Sequence, residues 1–256
     1  YSKPLLALAE GLVLGGGMGL FQGAAYRVVT ENARLGMPET GIGYFPDVGG
    51  SYFLSRLAGQ TGAYLAVTGN IINIADGLYC GLADHLLPAD KIAALDQRLD
   101  QQSWDGCADA AISQLLQELC VAAPENRAMA AVQPAIDQHF AGNDVAAIMA
   151  SLEGEQRPQY QEWASQTLAT LKGRSPMAMV MALCMQRLGQ KMPLQDCFAM
   201  EQQAIRQWFD QGDFIEGVRA VIVDKDRNPQ WKYAAVEQVP AAEIETMLSD
   251  YMAGES

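Results

Sequence analysis

The sequence contains little of the material from which metal and redox sites are built. Only two of its 256 residues are histidines, and neither lies in an HExxH motif, so a zinc protease site is not indicated. The five cysteines form no CxxC pair, which argues against a zinc ribbon and against a disulfide framework. We therefore expect no metal site, no redox cofactor, and a reducing compartment, either the cytoplasm or the mitochondrial matrix.

Several motifs of nucleophilic and nucleotide chemistry are also missing. There is no GxSxG elbow and no cysteine–histidine pattern, so we expect His85 and His139 to be structural rather than members of a catalytic triad. No GxxxxGK[ST] motif occurs, and the glycines from Gly17 onward lack the third glycine of a dinucleotide fingerprint. Neither a P-loop nor a Rossmann nucleotide site is indicated.

Positive charge is scarce. Seventeen Lys and Arg face 30 Asp and Glu, which gives a formal net charge of −13. Nucleic acids and anionic membranes both require a cationic face, so we expect neither as a partner. The sequence has no apolar run of about 18 residues, the length that a membrane-spanning helix needs. Glu10 and the glycines after it interrupt the apolar start, which argues against a secretion signal.

What the sequence does have is ample apolar material, arranged in two patterns. Hydrophobic residues make up 50% of the chain, enough for a packed core. Residues 4–9 and 26–30 predict short strands on either side of a helix over 16–24, an alternation typical of an α/β core. From about Pro88 the pattern predicts helices almost without strands. We expect an α/β core over residues 1–103 and an α-helical C-terminal region over 104–256 that covers the active site.

The helical region is predicted from amphipathic segments and one clear start signal. Ser175 and Pro176 are typical of an N-cap and first turn, and this helix is expected to end at Gly189. One face of it carries methionines and other apolar residues, which we interpret as core rather than as an adaptable binding surface. Further helices are predicted over Lys91–Leu99, Ala108–Leu119, Ala128–His139, Asp144–Leu152 and Glu155–Leu171.

A glycine cluster precedes two acids that lie in turns. Gly15–Gly17 allow backbone N–H groups to approach a ligand, and Glu39 and Asp47 each follow a proline. An anion hole near carboxylates favours acyl chemistry. Other interpretations are open at this point. The glycines could serve close strand–helix packing, Glu39 could be a solvated surface residue, and Asp47 could cap a helix that begins near Gly50.

The spacing of these motifs resembles the crotonase (enoyl-CoA hydratase/isomerase) superfamily, and within it the 3-hydroxyisobutyryl-CoA hydrolase branch. The resemblance implies an α/β fold with a crotonase-like core, a spiral of ββα units, followed by helices. It extends over nearly the whole chain. It rests on Tyr1–Leu20 (YSKPLLALAEGLVLGGGMGL), Met37–Gly50 (MPETGIGYFPDVGG), Gly81–His85 (GLADH), Asp213–Ala220 (DFIEGVRA) and Asp224–Trp231 (DKDRNPQW).

The resemblance also assigns roles to individual residues. It implies that the Gly16 N–H is one of two oxyanion donors for a thioester carbonyl, with Gly15 and Gly17 binding substrate beside it. Glu39 corresponds to a catalytic glutamate, which acts either as a nucleophile or as the base that activates water. Asp47 corresponds to an active-site residue of the hydrolase branch, and we expect it to be catalytic, to contact the substrate hydroxyl and to help orient the reacting group. The sequence does not choose between the two mechanisms for Glu39.

Two further points follow from the resemblance. Gly19 stands where the hydratases carry a second glutamate, which favours thioester hydrolysis over hydration. Phe214 and Lys225 lie in a segment that resembles the part of the superfamily near CoA, and they are weaker substrate-binding candidates. CoA is then part of the substrate rather than a cofactor, and the resemblance is compatible with a homo-oligomer.

The resemblance leaves two other functions in competition with hydrolysis. One is an enoyl-CoA hydratase or isomerase of the same fold. The other is a non-catalytic CoA-ester-binding or scaffold protein. Because the resembling domain begins well upstream of the position that corresponds to Tyr1, we expect the chain to be the C-terminal part of a longer protein. The second oxyanion donor is then expected upstream, and residues 1–256 alone are expected to be nearly inactive.

Overall fold

The computed structural model describes residues 2–104 and 106–252 of the chain. Contacts divide it into two units that interleave along the sequence. The first consists of Tyr1–Gly36 and Ile71–Ala131, and the second of Met37–Asn70 and Val132–Ser256. The predicted division into an α/β core over residues 1–103 and a helical region over 104–256 stays a prediction.

Strands and helices alternate early in the chain, and helices follow. The strands are β1 (Leu6–Ala9), β2 (Leu12–Leu14), β3 (Tyr26–Val29), β4 (Arg34–Gly36), β5 (Ile71–Asn73) and β6 (His85–Leu86). The helices are α1 (Gly16–Gln22), α2 (Gly50–Phe53), α3 (Thr61–Thr68), α4 (Ile74–Tyr79), α5 (Ile92–Gln101), α6 (Ala108–Leu119), α7 (Ala128–His139), α8 (Val145–Glu153), α9 (Pro158–Lys172), α10 (Pro176–Gly189), α11 (Leu194–Gln211), α12 (Phe214–Val218), α13 (Ala241–Met247) and α14 (Ser249–Met252).

The first unit contains two small sheets. In one, β1 pairs in parallel with β3, and β3 pairs in parallel with β6. In the other, β2 pairs in parallel with β4, which pairs antiparallel with β5. Helices α5 and α6 help to bury the first sheet, with a core made of Val28, Leu87, Leu95, Ile112 and Leu116. The α/β class, the two predicted strands and the helix between them are confirmed.

In the second unit, α10 is the buried central helix. The Ser175 Oγ accepts a hydrogen bond from the Ala178 N–H at 3.0 Å, which confirms the predicted N-cap. The same hydroxyl donates to Asp213 Oδ2 at 2.6 Å. Met177, Met181 and Met185 are fully buried, so the methionine face is core, as predicted.

Helix α11 is the main element that the sequence analysis did not predict. Its apolar face includes Cys197, Met200, Ala204 and Trp208, which recur at helical spacing and are fully buried. Glu201 lies on the same face and is also buried. Within the two described stretches, no helix is long and apolar enough to cross a membrane.

The turn after residue 42 is the place where the second unit most clearly requires glycine. Gly43 has a φ of 68°, in the left-handed region. A Cβ at this position would lie 2.4 Å from the Asp213 carbonyl oxygen. The Gly43 carbonyl accepts a hydrogen bond from the buried Trp208 Nε1–H at 2.9 Å. The turn is therefore fixed both by its own backbone conformation and by the helices packed on it.

We expect Gly43→Ala to lower the free energy of unfolding by about 2 kcal/mol or more, because it combines left-handed strain with a backbone overlap. Gly142→Ala is the matched control. Nothing lies within 4 Å of a Cβ at Gly142 and its φ is ordinary, so its effect should stay within about 0.5 kcal/mol. Urea denaturation of the two variants measures the difference. Equal stabilities would show that the turn tolerates a side chain.

Candidate active site

Glu39 is a buried carboxylate at the start of a 3₁₀ turn. It follows Pro38, opens the turn Glu39–Ile42, and is only 7% exposed. No described residue makes a hydrogen bond with its Oε2, which is buried. Burial raises the pKa of Glu39 to about 8; its own backbone N–H opposes this rise and the nearby charge of Asp47 adds to it. A carboxylate with a raised pKa and an unoccupied oxygen has the properties of a general base or nucleophile.

Asp47 lies close enough to influence Glu39 electrostatically. Burial raises its pKa, while its own backbone N–H and the Tyr44 hydroxyl oppose the rise. The Tyr44 hydroxyl donates a long hydrogen bond to Asp47 Oδ2 at 3.4 Å. The interpretation of Asp47 as a helix cap is wrong, because the N-cap residue of α2 is Gly49 and the first N–H groups there donate to Glu201 rather than to the Asp47 carboxylate.

Aromatic rings pack behind the two acids. The Tyr44 ring stacks on Phe45 with centroids 4.6 Å apart, and tilts against Phe214 at 5.0 Å. Phe45 in turn meets the edge of Trp208 at 5.1 Å. Burial and the Asp47 charge hold the pKa of Tyr44 well above its ordinary value, so its hydroxyl remains a donor at neutral pH. The structure therefore places Phe214 in the aromatic cluster that contacts Tyr44.

The loop that carries Asp47 has an unusual backbone. Val48 has a φ of 50° and Gly49 a φ of 88°, so two consecutive residues are left-handed. For a β-branched residue such as Val48 this conformation costs on the order of 1–3 kcal/mol. Glu201 meets this loop from α11. One of its oxygens accepts from Gly49 N–H at 2.9 Å, and the other accepts from Ser51 N–H at 3.1 Å and Ser51 Oγ at 2.6 Å.

Glu201 and Tyr44 are members of the candidate site that were not predicted from the sequence. For Glu201 a signal exists in the sequence, because it is a charged residue on the apolar face defined by Cys197, Ala204 and Trp208. A charge at such a position requires a buried polar partner. Tyr44 lies between the two acids in the Met37–Gly50 segment, but nothing in its spacing distinguishes it from a core aromatic residue.

A cavity of about 510 Å³ lies beside Asp47 within the second unit. Its walls include the apolar side chains of Val48, Phe198 and Ile205 and the carboxylates of Asp47 and Glu201. An apolar wall with one accepting carboxylate suits a small organic group that carries a hydroxyl.

The glycine cluster belongs to the first unit. Gly15 precedes α1 with φ 52° and ψ −120°, a conformation that favours glycine. Within the described residues, nothing accepts a hydrogen bond from the Gly16 N–H, and nothing lies within 4 Å of a Cβ built on Gly16. Gly17 has only an ordinary contact with Val13. The interpretation of these glycines as close strand–helix packing is therefore not supported, and the Gly16 N–H is available to a ligand.

Among the described residues, no recorded contact joins Lys225 to Glu39 or Asp47. It is exposed, with a left-handed φ of 58°, in the polar turn after α12. Its side chain makes no hydrogen bond or ion pair with any residue that the structure describes. Arg219 organises this turn through ion pairs with Glu216, Asp224 and Asp226. The structure thus connects Phe214 to the Glu39 region and shows no such connection for Lys225.

His139 lies in a buried hydrogen-bonded cluster, which supports the structural role predicted for it. It is buried, and its ring nitrogens contact Ser151 Oγ at 2.7 Å and Glu155 Oε2 at 2.8 Å. Glu155 also pairs with Arg157. Ser151 lies inside α8, where helical hydrogen bonding occupies the backbone N–H groups that an oxyanion hole would need. Among residues 2–104 and 106–252, no group of three His, Cys, Asp or Glu could hold a metal ion.

Comparison with known proteins supplies the family. The enoyl-CoA hydratase/isomerase family profile matches residues 1–248. Several similar proteins are named 3-hydroxyisobutyryl-CoA hydrolase. The mitochondrial one of Gallus gallus is 37% identical over 240 residues, which are 93% of this chain and 61% of that protein. The small ribosomal subunit protein mS47 of Neurospora crassa is also similar, 34% identical over 254 residues, covering 94% of this chain and 50% of that protein.

A solved structure confirms the predicted crotonase-like fold. An enoyl-CoA hydratase from Rhodobacter sphaeroides 2.4.1 superposes with a TM-score of 0.83 at 34% sequence identity. The match covers 97% of this chain and 69% of that one. The chain spans 61% of the length of its Gallus gallus relative. With a family profile that matches residues 1–248, this chain belongs to the enoyl-CoA hydratase/isomerase family.

Proposed function

We propose that this protein is an acyl-CoA thioester hydrolase, and that its substrate is 3-hydroxyisobutyryl-CoA, which it converts to 3-hydroxyisobutyrate and CoA as a step of valine degradation. The observation that carries the proposal is the buried Glu39 carboxylate, with an unoccupied Oε2 and a pKa raised to about 8. Asp47 and a cavity suited to a small hydroxylated group lie in the same unit. Relatives named as hydrolases of this thioester support the choice of substrate.

Glu39 acts on the thioester carbonyl by one of two routes. In the first, its carboxylate attacks the carbonyl carbon, the C–S bond breaks, and CoA departs as a thiolate. Water then hydrolyses the anhydride formed between Glu39 and the acyl group. In the second, Glu39 takes a proton from water as the water oxygen attacks, and the thiolate leaves with a proton. Burial favours both routes, because a desolvated carboxylate is a stronger base and nucleophile than a hydrated one.

Asp47 selects the acyl group rather than performing the cleavage. A carboxylate accepts a hydrogen bond from a substrate hydroxyl, and a plain acyl chain leaves that acceptor unpaired. The Tyr44 hydroxyl holds Asp47 Oδ2 on one side. The backbone N–H of Asp47 also donates to the carboxylate. Among the described side chains only that of Tyr44 donates to it, so the carboxylate keeps accepting capacity for a substrate hydroxyl.

The glycine at position 19, where the hydratases carry their second glutamate by resemblance, favours hydrolysis over hydration. Gly19 lies in α1, in the place of the glutamate that the hydratases carry by resemblance. The unpaired Gly16 N–H supports its predicted role as an oxyanion donor, with Gly15 and Gly17 beside it. Four other points remain predictions. They are the contact of Phe214 and Lys225 with the CoA moiety, the lack of a cofactor, the formation of an oligomer, and the cellular compartment.

We expect Glu39→Gln to lower turnover of 3-hydroxyisobutyryl-CoA by at least about a hundredfold while changing ester affinity only a few-fold, the usual scale for loss of a catalytic base. Thiol release, followed with a chromogenic disulfide, measures turnover. Glu155→Gln alters another buried glutamate of the same unit and serves as the control. Near-normal turnover in Glu39→Gln would remove Glu39 from the mechanism.

The pH dependence should follow the ionisation of Glu39. Since the deprotonated form is the active one, kcat/KM should rise about tenfold per pH unit below about 8 and level off above it. The stability should change in the opposite direction. The folded protein keeps a proton on Glu39 between about pH 4.5 and 8 that the unfolded chain has lost, so the free energy of unfolding falls as pH rises through that range.

Urea denaturation across this pH range checks the stability effect without any assay of activity. The fall should be smaller in Glu39→Gln than in the unaltered protein, because the variant lacks the ionising group. Identical pH profiles for the two proteins would show that the carboxylate of Glu39 does not titrate in this range.

Because Gly19 replaces the second acid of the hydratases, crotonyl-CoA should be hydrated far more slowly than 3-hydroxyacyl-CoA esters release thiol. The loss of ultraviolet absorbance reports hydration, and thiol release reports hydrolysis in the same sample. Hydration that outpaces hydrolysis would point to the hydratase alternative. Absence of both signals in the full-length protein would point to the non-catalytic one.

A further inference from the structure

Glu201 is the second buried glutamate beside Asp47, and its described hydrogen-bond partners are Gly49 and Ser51, where the loop that carries Asp47 enters α2. It is 2% exposed, and it reaches the loop from α11, about 150 residues later in the chain. Both oxygens are used, one by the Gly49 N–H and the other by the N–H and hydroxyl of Ser51. Among the described residues, no Lys, Arg or His forms an ion pair with it. Its carboxylate is therefore stabilised by loop donors rather than by a cation.

The loop is held in a conformation that it would not adopt unaided. Val48 and Gly49 are both left-handed, and a β-branched residue avoids that region unless its surroundings impose it. The Glu201 hydrogen bonds attach directly to this stretch, at Gly49 and Ser51. Asp47 immediately precedes the strained residue, so the direction of its side chain depends on the loop that Glu201 anchors.

We infer that Glu201 is a positioning residue, which sets the orientation of Asp47 and thereby the preference for hydroxylated acyl groups. This inference rests on the proposed function and adds to it the element that fixes the specificity residue. Glu201 lines the same cavity as Asp47, but its oxygens are occupied by the loop, so it acts through Asp47 rather than through the substrate.

Glu201→Gln tests the inference with little change in volume. A glutamine has one accepting oxygen, so its NH₂ group must face either the Gly49 N–H or the Ser51 N–H, and at least one loop donor loses its partner. The ratio of kcat/KM for 3-hydroxyisobutyryl-CoA to that for isobutyryl-CoA should fall about tenfold. Glu155 is a buried glutamate that hydrogen-bonds with His139 and Arg157. The control variant Glu155→Gln should leave this ratio unchanged.

A double variant separates positioning from independent action. If Glu201 acts through Asp47, then Asp47→Asn should lower the ratio by itself. Adding Glu201→Gln should lower it no further, because the side chain being oriented has already lost its charge. A further loss in the double variant, comparable with that in Glu201→Gln alone, would overturn the inference.

Amide hydrogen exchange tests the anchoring without any catalysis. Exchange at Gly49 and Ser51, followed by NMR, should become at least about tenfold faster in Glu201→Gln and stay unchanged in Glu155→Gln. Ser51→Ala removes only the hydroxyl bond and should shift both exchange and the ratio in the same direction by smaller factors. Unaltered exchange in Glu201→Gln, or faster exchange with an unaltered ratio, would overturn the inference.

Failure of the proposed function can be distinguished from failure of the positioning role. If the full-length protein releases no thiol from either ester, the proposed function fails, and the ratio of dissociation constants for the two esters replaces the kinetic ratio. A preference for the hydroxylated ester that Glu201→Gln abolishes would then still support the positioning role. No difference in affinity between the esters in the unaltered protein would overturn it.

Discussion

Desolvation of the Glu39 carboxylate is the constraint on which the rest of the candidate site depends. An ionised carboxylate in an apolar setting with an unpaired oxygen is unfavourable, and the protein responds by raising its pKa to about 8. Such a group persists only if its surroundings prevent it from turning toward water. The Gly43 turn and the Trp208 hydrogen bond provide that restraint, because they fix the backbone just after the 3₁₀ turn that carries Glu39.

The two acids of the second unit have different surroundings, and the different roles that we propose for them rest on that difference. Glu39 has a buried oxygen with no described partner, whereas Asp47 accepts from Tyr44 and lies beside a cavity with apolar walls. The first arrangement favours reactivity and the second favours recognition. Glu201 resembles neither, since three donors saturate its carboxylate, and saturation is what suits it to support a loop.

The sequence predicted local features well and long-range partners poorly. The N-cap at Ser175, the buried methionine face of α10 and the bounds of α6 and α7 follow from spacing within a few turns of chain. Three-residue strands such as β4 are too short to show an alternation of apolar and polar residues. Helix α11 was not predicted, although its sequence has an amphipathic pattern. The site residues Glu39 and Asp47 came from a resemblance to a family, and Glu201 could not, because its role depends on a loop far away in the sequence.

The contacts that shape the Glu39 and Asp47 turns come from late in the chain. Gly43 is held by Trp208, 165 residues further on, and Gly49 by Glu201, 152 residues further on. Such closures are entropically costly and form only when the distant partner exists. During synthesis the acids emerge long before α11, and their turns remain without these restraints until that helix has been made. The chemistry of the site is thus coupled to completion of the second unit, and a chain that stops before α11 has both acids without the geometry that gives them separate roles.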